Sequence, residues 1–420
     1  MALDRMILGE NIVYSTDSSQ TGLNNNVLVC GSSGCGKTMS ISEPCFLETI
    51  HSSLIATVTK RRIVNKYKAL FRKRGYLVLD LNFINPAESN VSYDPLKYIN
   101  NFSDIPFVAG LIVKANPRKE RSTADPYWDD AAISLLSALI AYTIMTGKDV
   151  TFVDVLLLHE GMEFKERDGQ IVTSLDDKFE SLAEKSPNCF AVSCWNSFRK
   201  LGIRTASCVF STLNTSIDTI FTPEIRKMIA TKKKVDFRQL ASKKTVLFVS
   251  TSAVNSSLHC LINIFYAQAF QTLFEYAESL PNGRLPIPVH VLCDDFAVGS
   301  RIQNFPEYVS VFRESRISAT ILVQSESQLE SMYGITDATT IINNCDTYIY
   351  LGGQDLKTCR SISERLNLPL EDVLYMPIGQ EFIFRRGQKP IITKRYNIEK
   401  NQLYGKITEE YEKKMVGRER

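Results

Sequence analysis

Residues 31–38 read GSSGCGKT and follow a short apolar run, Val27-Leu28-Val29-Cys30. The spacing is Gly, four residues, then Gly-Lys-Thr, leading into Met39-Ser40-Ile41-Ser42. A strand, a glycine-rich turn and a helix start form the setting in which such a loop cradles phosphate. Gly31, Gly34 and Gly36 let the backbone curl so that its N–H groups converge on an anion. The start of the helix adds partial positive charge. On this reading Gly31, Ser32, Ser33, Gly34, Cys35, Gly36, Lys37, Thr38 and Met39 surround the phosphates of ATP. Lys37 reaches the β- and γ-phosphates and the Thr38 hydroxyl ligates Mg2+. The loop alone does not say what the nucleotide drives.

Working outward, apolar runs recur at 54–59, 76–81, 246–250, 289–293, 320–323 and 348–351, besides 27–30. Short runs with few polar interruptions suit strands buried on both faces of a parallel sheet. Helical stretches between them predict a doubly wound α/β layer. Between about 112 and 240 the pattern turns helical, with candidate helices at 128–146, 175–185, 194–200, 204–220 and 224–231. The expectation is an α/β domain over 1–111 and 241–420, interrupted by a mostly helical insertion at 112–240. The polar segment 160–172, GMEFKERDGQIVT, reads as a loop or turn in that insertion.

Composition limits the function classes. The 420 residues allow two to three domains, and 44% hydrophobic with 23% charged residues is ordinary for a globular protein. A net charge of +3 does not by itself declare a nucleic-acid binder. The ten cysteines lack metal-type spacing, and Cys208, Cys260 and Cys293 sit in apolar runs, so reduced thiols are expected. The four histidines form no ligand set with Cys or carboxylates, which argues against zinc. The apolar stretch 131–145 follows Asp129 and Asp130 and is shorter than the roughly 20 residues of a spanning helix. A core helix is expected there, and no secretory leader is legible at the N-terminus.

Two further strand ends carry chemistry. VHVLCDDFA, 289–297, closes an apolar run with Asp294 and Asp295. In an NTPase the first carboxylate holds Mg2+ or its water and the second orients the attacking water. ATILVQSESQL, 319–329, ends its run at Gln324, which could position water beside a γ-phosphate. Upstream, Arg313 and Arg316 lie in VFRESRIS, where an arginine near a subunit edge could reach a neighbour's γ-phosphate. The plain alternatives are a solvated acidic strand end, a polar strand cap and a solvated helix end.

Taken in order, ILGENIVYS, NNNVLVCGSSGCGKT, GYLVLDLNF with SYDPLKYI, DPYWDDAAISLLSALIAY, CDDFAVGS, FRESRISATILVQSESQLESMYG and INNCDTYIYLGGQD resemble the TraG/TraD-type coupling proteins of type IV secretion and conjugation. The resemblance runs from about residue 7 to 390, and the block from Arg313 through Gly353 is its most specific part. It implies a RecA-like P-loop NTPase domain with an inserted all-α domain, assembled as a homo-hexamer. It implies ATP hydrolysis with Mg2+ that delivers DNA, a relaxase or another protein substrate to a conjugative type IV secretion channel. Lys37, Thr38, Asp294 and Gln324 match motif positions, and Arg313, eleven residues before Gln324, takes the place of the inter-subunit arginine, with Arg316 as fallback.

Three features depart from the family pattern. Members commonly begin with transmembrane helices and this chain shows none, so a cytoplasmic protein is expected. It would lie at most at the inner face of the cell membrane, and a separate membrane partner or a truncated chain would each account for the missing helices. The second strand ends in Thr57-Val58-Thr59-Lys60-Arg61-Arg62, without the acidic residue, Pro and Gly usual there. Asp295 stands where Glu is typical, one methylene shorter, which predicts slow basal turnover. These departures also fit a second reading, a soluble substrate-docking module that nucleotide controls with little hydrolysis. A small-molecule kinase shares the loop but not the order of motifs.

Lys60, Arg61, Arg62, Lys66, Lys68, Arg72, Lys73 and Arg74 crowd one predicted helix, and Arg226, Lys227 and Lys232-Lys233-Lys234 form a smaller cluster. Either could track a nucleic-acid backbone without reading sequence, or be a solvated helix face.

Overall fold

The computed structural model describes residues 4–114, 126–231, 233–252, 256–294, 296 and 301–416. Its strands in chain order are β1 (Arg5–Gly9), β2 (Ile12–Ser15), β3 (Val27–Cys30), β4 (Ser53–Val58), β5 (Leu77–Asn82), β6 (Phe164–Arg167), β7 (Gln170–Thr173), β8 (Thr245–Ser250), β9 (Val289–Cys293), β10 (Ile317–Val323), β11 (Thr347–Tyr350), β12 (Gln380–Arg385) and β13 (Ile391–Lys394). The chain divides into two compact units. One holds Met1–Asn82, Asp236–Ala253 and Ala269–Arg420, the other Phe83–Val235 and Val254–Gln268.

The first unit is built on a nine-stranded sheet in the order β13-β12-β11-β3-β10-β9-β4-β8-β5. From β11 to β5 every neighbouring pair is parallel, and β12 and β13 run antiparallel at one edge. All residues of β3, β4, β8 and β9 are buried, which is why these segments read as unbroken apolar runs. The helix Arg61–Lys73 turns Ile63, Val64, Tyr67, Leu70 and Phe71 inward. There Phe71 and Tyr67 meet Phe46, and Phe46 and Phe71 both meet Phe248 of β8. Each such fully buried side chain contributes on the order of 2 kcal/mol.

The seven strands anticipated from apolar runs are the seven parallel strands. The pairs β1–β2 and β12–β13 were not anticipated. Both lie at margins where alternating or half-exposed residues replace the apolar run.

The second unit is mostly helical, around the buried face of Tyr127–Thr146. Phe179 stacks on Trp195 at 4.2 Å and Phe152 on Phe221 at 4.7 Å. Two expectations need correction here. The segment 160–172 is not a plain loop: β6 and β7 form a hairpin closed by Asp168 (φ 53°) and Gly169 (φ 74°). Asp-Gly between alternating residues is the two-residue hairpin signal, and it is present in the sequence. The unit also begins before 112, at Phe83. Phe83, Tyr93 and Phe265 form one edge-to-face aromatic cluster, which ties 83–98 to the later helical segment rather than to the sheet. The helix Tyr127–Thr146 is the one described helix long and apolar enough to cross a membrane, and half of its apolar span is buried within the protein.

Candidate functional site

The octapeptide leaves the sheet between its two parallel neighbours. The Gly31 N–H donates to the Val323 carbonyl of β10 (3.1 Å) and the Ser32 N–H to the Gly352 carbonyl beyond β11 (2.9 Å). A Cβ at Gly31 would lie 2.6 Å from Cys35 Sγ, so only glycine lets the loop close on itself. Gly34 (φ 79°) and Gly36 (φ 87°) occupy the left-handed region that glycine adopts without strain. The turn that follows, Thr38–Ser42, is a π turn, and both the Ser40 N–H and hydroxyl donate to the Gly36 carbonyl at 2.9 Å. Such wide turns recur at functional sites.

Lys37 is buried, and its ammonium donates to the Gly31 carbonyl and to the Ser32 carbonyl (3.1 Å). The cation is thus folded into the loop it belongs to. The Thr38 hydroxyl donates to Asp294 Oδ2 at 3.3 Å. β9 and β3 flank β10, so the carboxylate at the end of β9 and the hydroxyl after β3 meet across it. A hydroxyl and a carboxylate oxygen in contact form a hard donor set suited to Mg2+. Gln324 follows β10 at the same sheet edge and is exposed, with its backbone N–H donating to Gln328 Oε1 at 2.9 Å. The helix that follows is anchored by Glu326, which accepts from the Tyr348 hydroxyl (2.9 Å) and the Ser361 hydroxyl (3.3 Å). Asp295 lies outside the described residues.

Arg313 is not at this edge. It lies exposed in the last turn of the helix Phe305–Ser315, which passes through Arg316 (φ 61°) directly into the start of β10. The seven residues of β10 therefore separate it from Gln324, roughly 20 Å at the usual rise per residue. One chain does not bring Arg313 to its own loop. Arg316 is engaged elsewhere, donating to the Leu285 and Pro286 carbonyls at 3.1 Å each.

Arg395, just past β13, escaped the reading of the sequence. Its guanidinium donates to the Cys35 carbonyl, on the outer side of the loop, and to the Leu351 carbonyl at the end of β11. Its Nε is buried with no partner among the described residues. No local signal marks it, because only the antiparallel pairing of β12 and β13 carries this arginine back to the loop. Nearby in β12, Glu381 is fully buried, and both its carboxyl oxygens lack partners among the described residues. Burial pushes its carboxyl up to about 8, with the Arg395 charge acting in the opposite direction. Burial also pushes the Cys30 thiol at the end of β3 up to about 12, so it stays protonated and unreactive near neutral pH.

The basic helix is largely committed within the fold. Arg61 forms a two-pronged pair with Asp80 (2.5 and 2.7 Å), Lys66 meets Glu43 (3.2 Å), and Lys73 meets Glu410 (2.9 Å). Arg74 donates to the Phe46, Leu47 and Thr49 carbonyls. Lys60, Arg62 and Arg72 stay exposed. In the smaller cluster Lys234 donates to the Thr231 carbonyl (2.6 Å), and Lys232 lies outside the described residues. All ten cysteines are free, and no metal cluster of His, Cys, Asp and Glu occurs among the described residues.

A largely parallel sheet with a phosphate loop on a central strand, an acidic residue two strands away and a glutamine on the strand between defines a RecA-like P-loop NTPase fold. The chain belongs to the family described as Type IV secretory system Conjugative DNA transfer, whose model matches residues 4–367. No curated protein matches it in sequence. Among solved structures it is similar to the bacterial conjugative coupling protein TrwBdeltaN70 in a trigonal form with sulphate, at 15% identity and a TM-score of 0.63, covering 89% of this chain and 85% of that one. TrwB in complex with the non-hydrolysable ATP analogue ADPNP gives 15% identity, a TM-score of 0.66 and the same coverage. VirB4 of Thermoanaerobacter pseudethanolicus gives 12% identity and a TM-score of 0.59, covering 96% of this chain and 100% of that one. At these identities the likeness is one of fold.

Proposed function

We propose that this chain is an ATP-hydrolysing coupling protein that recruits DNA, a relaxase or another protein substrate and passes it to a conjugative type IV secretion channel. The observation that carries the reading is the Thr38–Asp294 contact at the mouth of the phosphate loop, in a chain of the conjugative DNA transfer family. TrwB, similar in fold, has been solved with an ATP analogue and with ADP and Mg2+.

In this reading the unit that holds the sheet, 1–82, 236–253 and 269–420, binds nucleotide, and the mostly helical unit, 83–235 with 254–268, is its insertion, wider than the 112–240 expected from the sequence. The loop N–H groups of Ser32, Ser33, Gly34, Cys35, Gly36 and Lys37, with Thr38 and Met39 beyond, surround the phosphates. Lys37 exchanges its carbonyl partners for phosphate oxygens. Thr38 and Asp294 would hold Mg2+, which supplies positive charge at the transferring phosphoryl group. Asp295 orients the attacking water, and Gln324 reports whether a γ-phosphate is present. Arg313 acts on the γ-phosphate of a neighbouring copy, since its own loop is out of reach. A homo-hexameric ring with nucleotide at subunit edges follows, working in the cytoplasm at the inner face of the membrane. The short Asp295 carboxylate predicts slow basal turnover that substrate accelerates.

The discriminating experiment measures ATPase rate and oligomer mass, each with and without single-stranded and double-stranded DNA. Assembly with ATP and hydrolysis stimulated by DNA is expected. Assembly with ATP but negligible hydrolysis under every condition would favour the second reading, a nucleotide-controlled docking module, to which the departures at Asp295 and Thr57–Arg62 also point.

A further inference from the structure

The first unit carries a hole and a knuckle at opposite edges of the same sheet. The hole is a cavity of about 440 Å³ at the edge where β9 and β10 begin, beneath β1. Met6, Ile287 and Ile317 give it apolar walls. Its polar floor is already satisfied: the His290 ring nitrogens meet the Ser318 hydroxyl at 2.8 Å and the Thr320 hydroxyl at 3.0 Å. Three carboxylates line it, and each is engaged. Asp4 accepts from the Ile50, His51 and Ser52 N–H groups, Asp17 caps a short helix, and Glu48 pairs with Arg5. Lys244, Arg313 and Arg316 also line it, and none of the three has an ion-pair partner among the described residues. The hole is thus apolar over Met6, Ile287 and Ile317 and carries four cations (Arg5, Lys244, Arg313, Arg316) against three carboxylates (Asp4, Asp17, Glu48), with Lys244, Arg313 and Arg316 the cations without an ion pair among the described residues.

The knuckle is the turn at 375–378. Tyr375 is 80% exposed and Ile378 98% exposed, an unusual position for two large apolar side chains. The turn is stiff: Pro377 fixes its middle, the Gln380 N–H donates to the Pro377 carbonyl (3.1 Å), and Gly379 is left-handed. The helix Leu370–Leu374 leads into it and presents Glu371 and Asp372 to solvent. Beneath, Met376 packs against Gly352, whose carbonyl accepts from the Ser32 N–H. The knuckle therefore stands on the wall of the phosphate loop.

We propose that Tyr375 and Ile378 of one copy seat in the cavity of the next copy, with Glu371 and Asp372 facing Lys244, Arg313 and Arg316 of its lining. An acidic, aromatic projection complements an apolar hole that carries these cations, and aromatic anchors in pockets are what concentrate energy at interfaces. Hole and knuckle lie at opposite sheet edges, so the contact is head-to-tail and closes into a ring when its rotation allows. It also places Arg313, at the mouth of one copy's cavity, beside the phosphate loop of the next. This inference rests on the proposed function and adds the element that holds its subunits together.

The test uses the full chain with Mg2+ and a non-hydrolysable ATP analogue, followed by sedimentation velocity. Ile378→Asp is expected to weaken assembly at least 10-fold, while binding of a fluorescent nucleotide to the unassembled chain is unchanged. Both side chains are exposed, so folding is not at stake, and a thermal melt checks it. A photoreactive benzophenone residue at position 378 is expected to join two chains and map to segments around Met6 or Ile287. Adducts within one chain, or an Ile378→Asp variant that assembles like wild type, overturn the contact and leave the proposed function standing. A wild type that stays monomeric in every nucleotide state overturns both.

Discussion

At the edge where the parallel strands end, Lys37, Thr38, Asp294 and Arg395 all touch a partner within the chain. At the edge where they begin, Arg313 stands exposed beside an open cavity. One edge is organised before any ligand arrives; the other is unfinished in a single copy. On the proposed function such a site reacts only when copies meet, which would tie turnover to assembly. The difference can be attacked from either side.

The strongest blow falls on the finished edge. Lys37→Ala should bring hydrolysis to background in an ATPase assay, because the loop loses its only inward-facing side-chain cation among the described residues. Arg313→Ala comes next, with a loss of about 10³-fold in kcat, as is typical when a transition-state arginine is removed. The two variants should complement each other. A mixture of Lys37→Ala and Arg313→Ala chains rebuilds intact sites at some subunit boundaries and regains measurable turnover. A mixture as dead as its parts would show that Arg313 does not act across copies.

Asp294→Asn tests the metal pair. Turnover should fall about 10²-fold, and the Mg2+ concentration giving half-maximal rate should rise. An unchanged Mg2+ dependence would separate Asp294 from the metal. Arg395→Ala is milder. It releases the Cys35 and Leu351 carbonyls, and nucleotide affinity measured by fluorescence should drop about tenfold, with Arg395→Lys in between.

The remaining test, on stability and not turnover, concerns Glu381. Its folded carboxyl is raised to about 8 from the ordinary 4.5. The unfolded chain therefore releases a proton that the folded chain retains between these values, and stability falls as pH rises through that window. Urea unfolding should show Glu381→Gln gaining roughly 2 kcal/mol on wild type between pH 6 and pH 9. Equal pH slopes for the two would place an ordinary carboxyl in that site.

What the sequence disclosed follows the same divide. The seven parallel strands are legible because burial on both faces leaves unbroken apolar runs, and the octapeptide is legible because its chemistry is local. Asp294 and Gln324 could be found because each closes such a run. Arg395 could not, since the pairing that delivers it joins segments far apart in sequence. The hairpin at 164–173 was readable from Asp168-Gly169, but its polar composition outweighed that signal. The basic helix shows the opposite limit: partners for Arg61, Lys66 and Arg74 are set by tertiary packing alone, so the sequence could not tell its committed cations from its exposed ones.

The grip of Arg395 on the loop bears on how this protein can be cut. The family match stops at residue 367, before β12 and β13. A fragment trimmed to that boundary would keep the whole octapeptide and both strand-end residues yet release the outer side of its loop. It would also expose the flank of β11 that β12 covers. A piece meant to keep the phosphate loop braced as the intact chain does must run past Arg395, so the tail beyond the family match supports the loop.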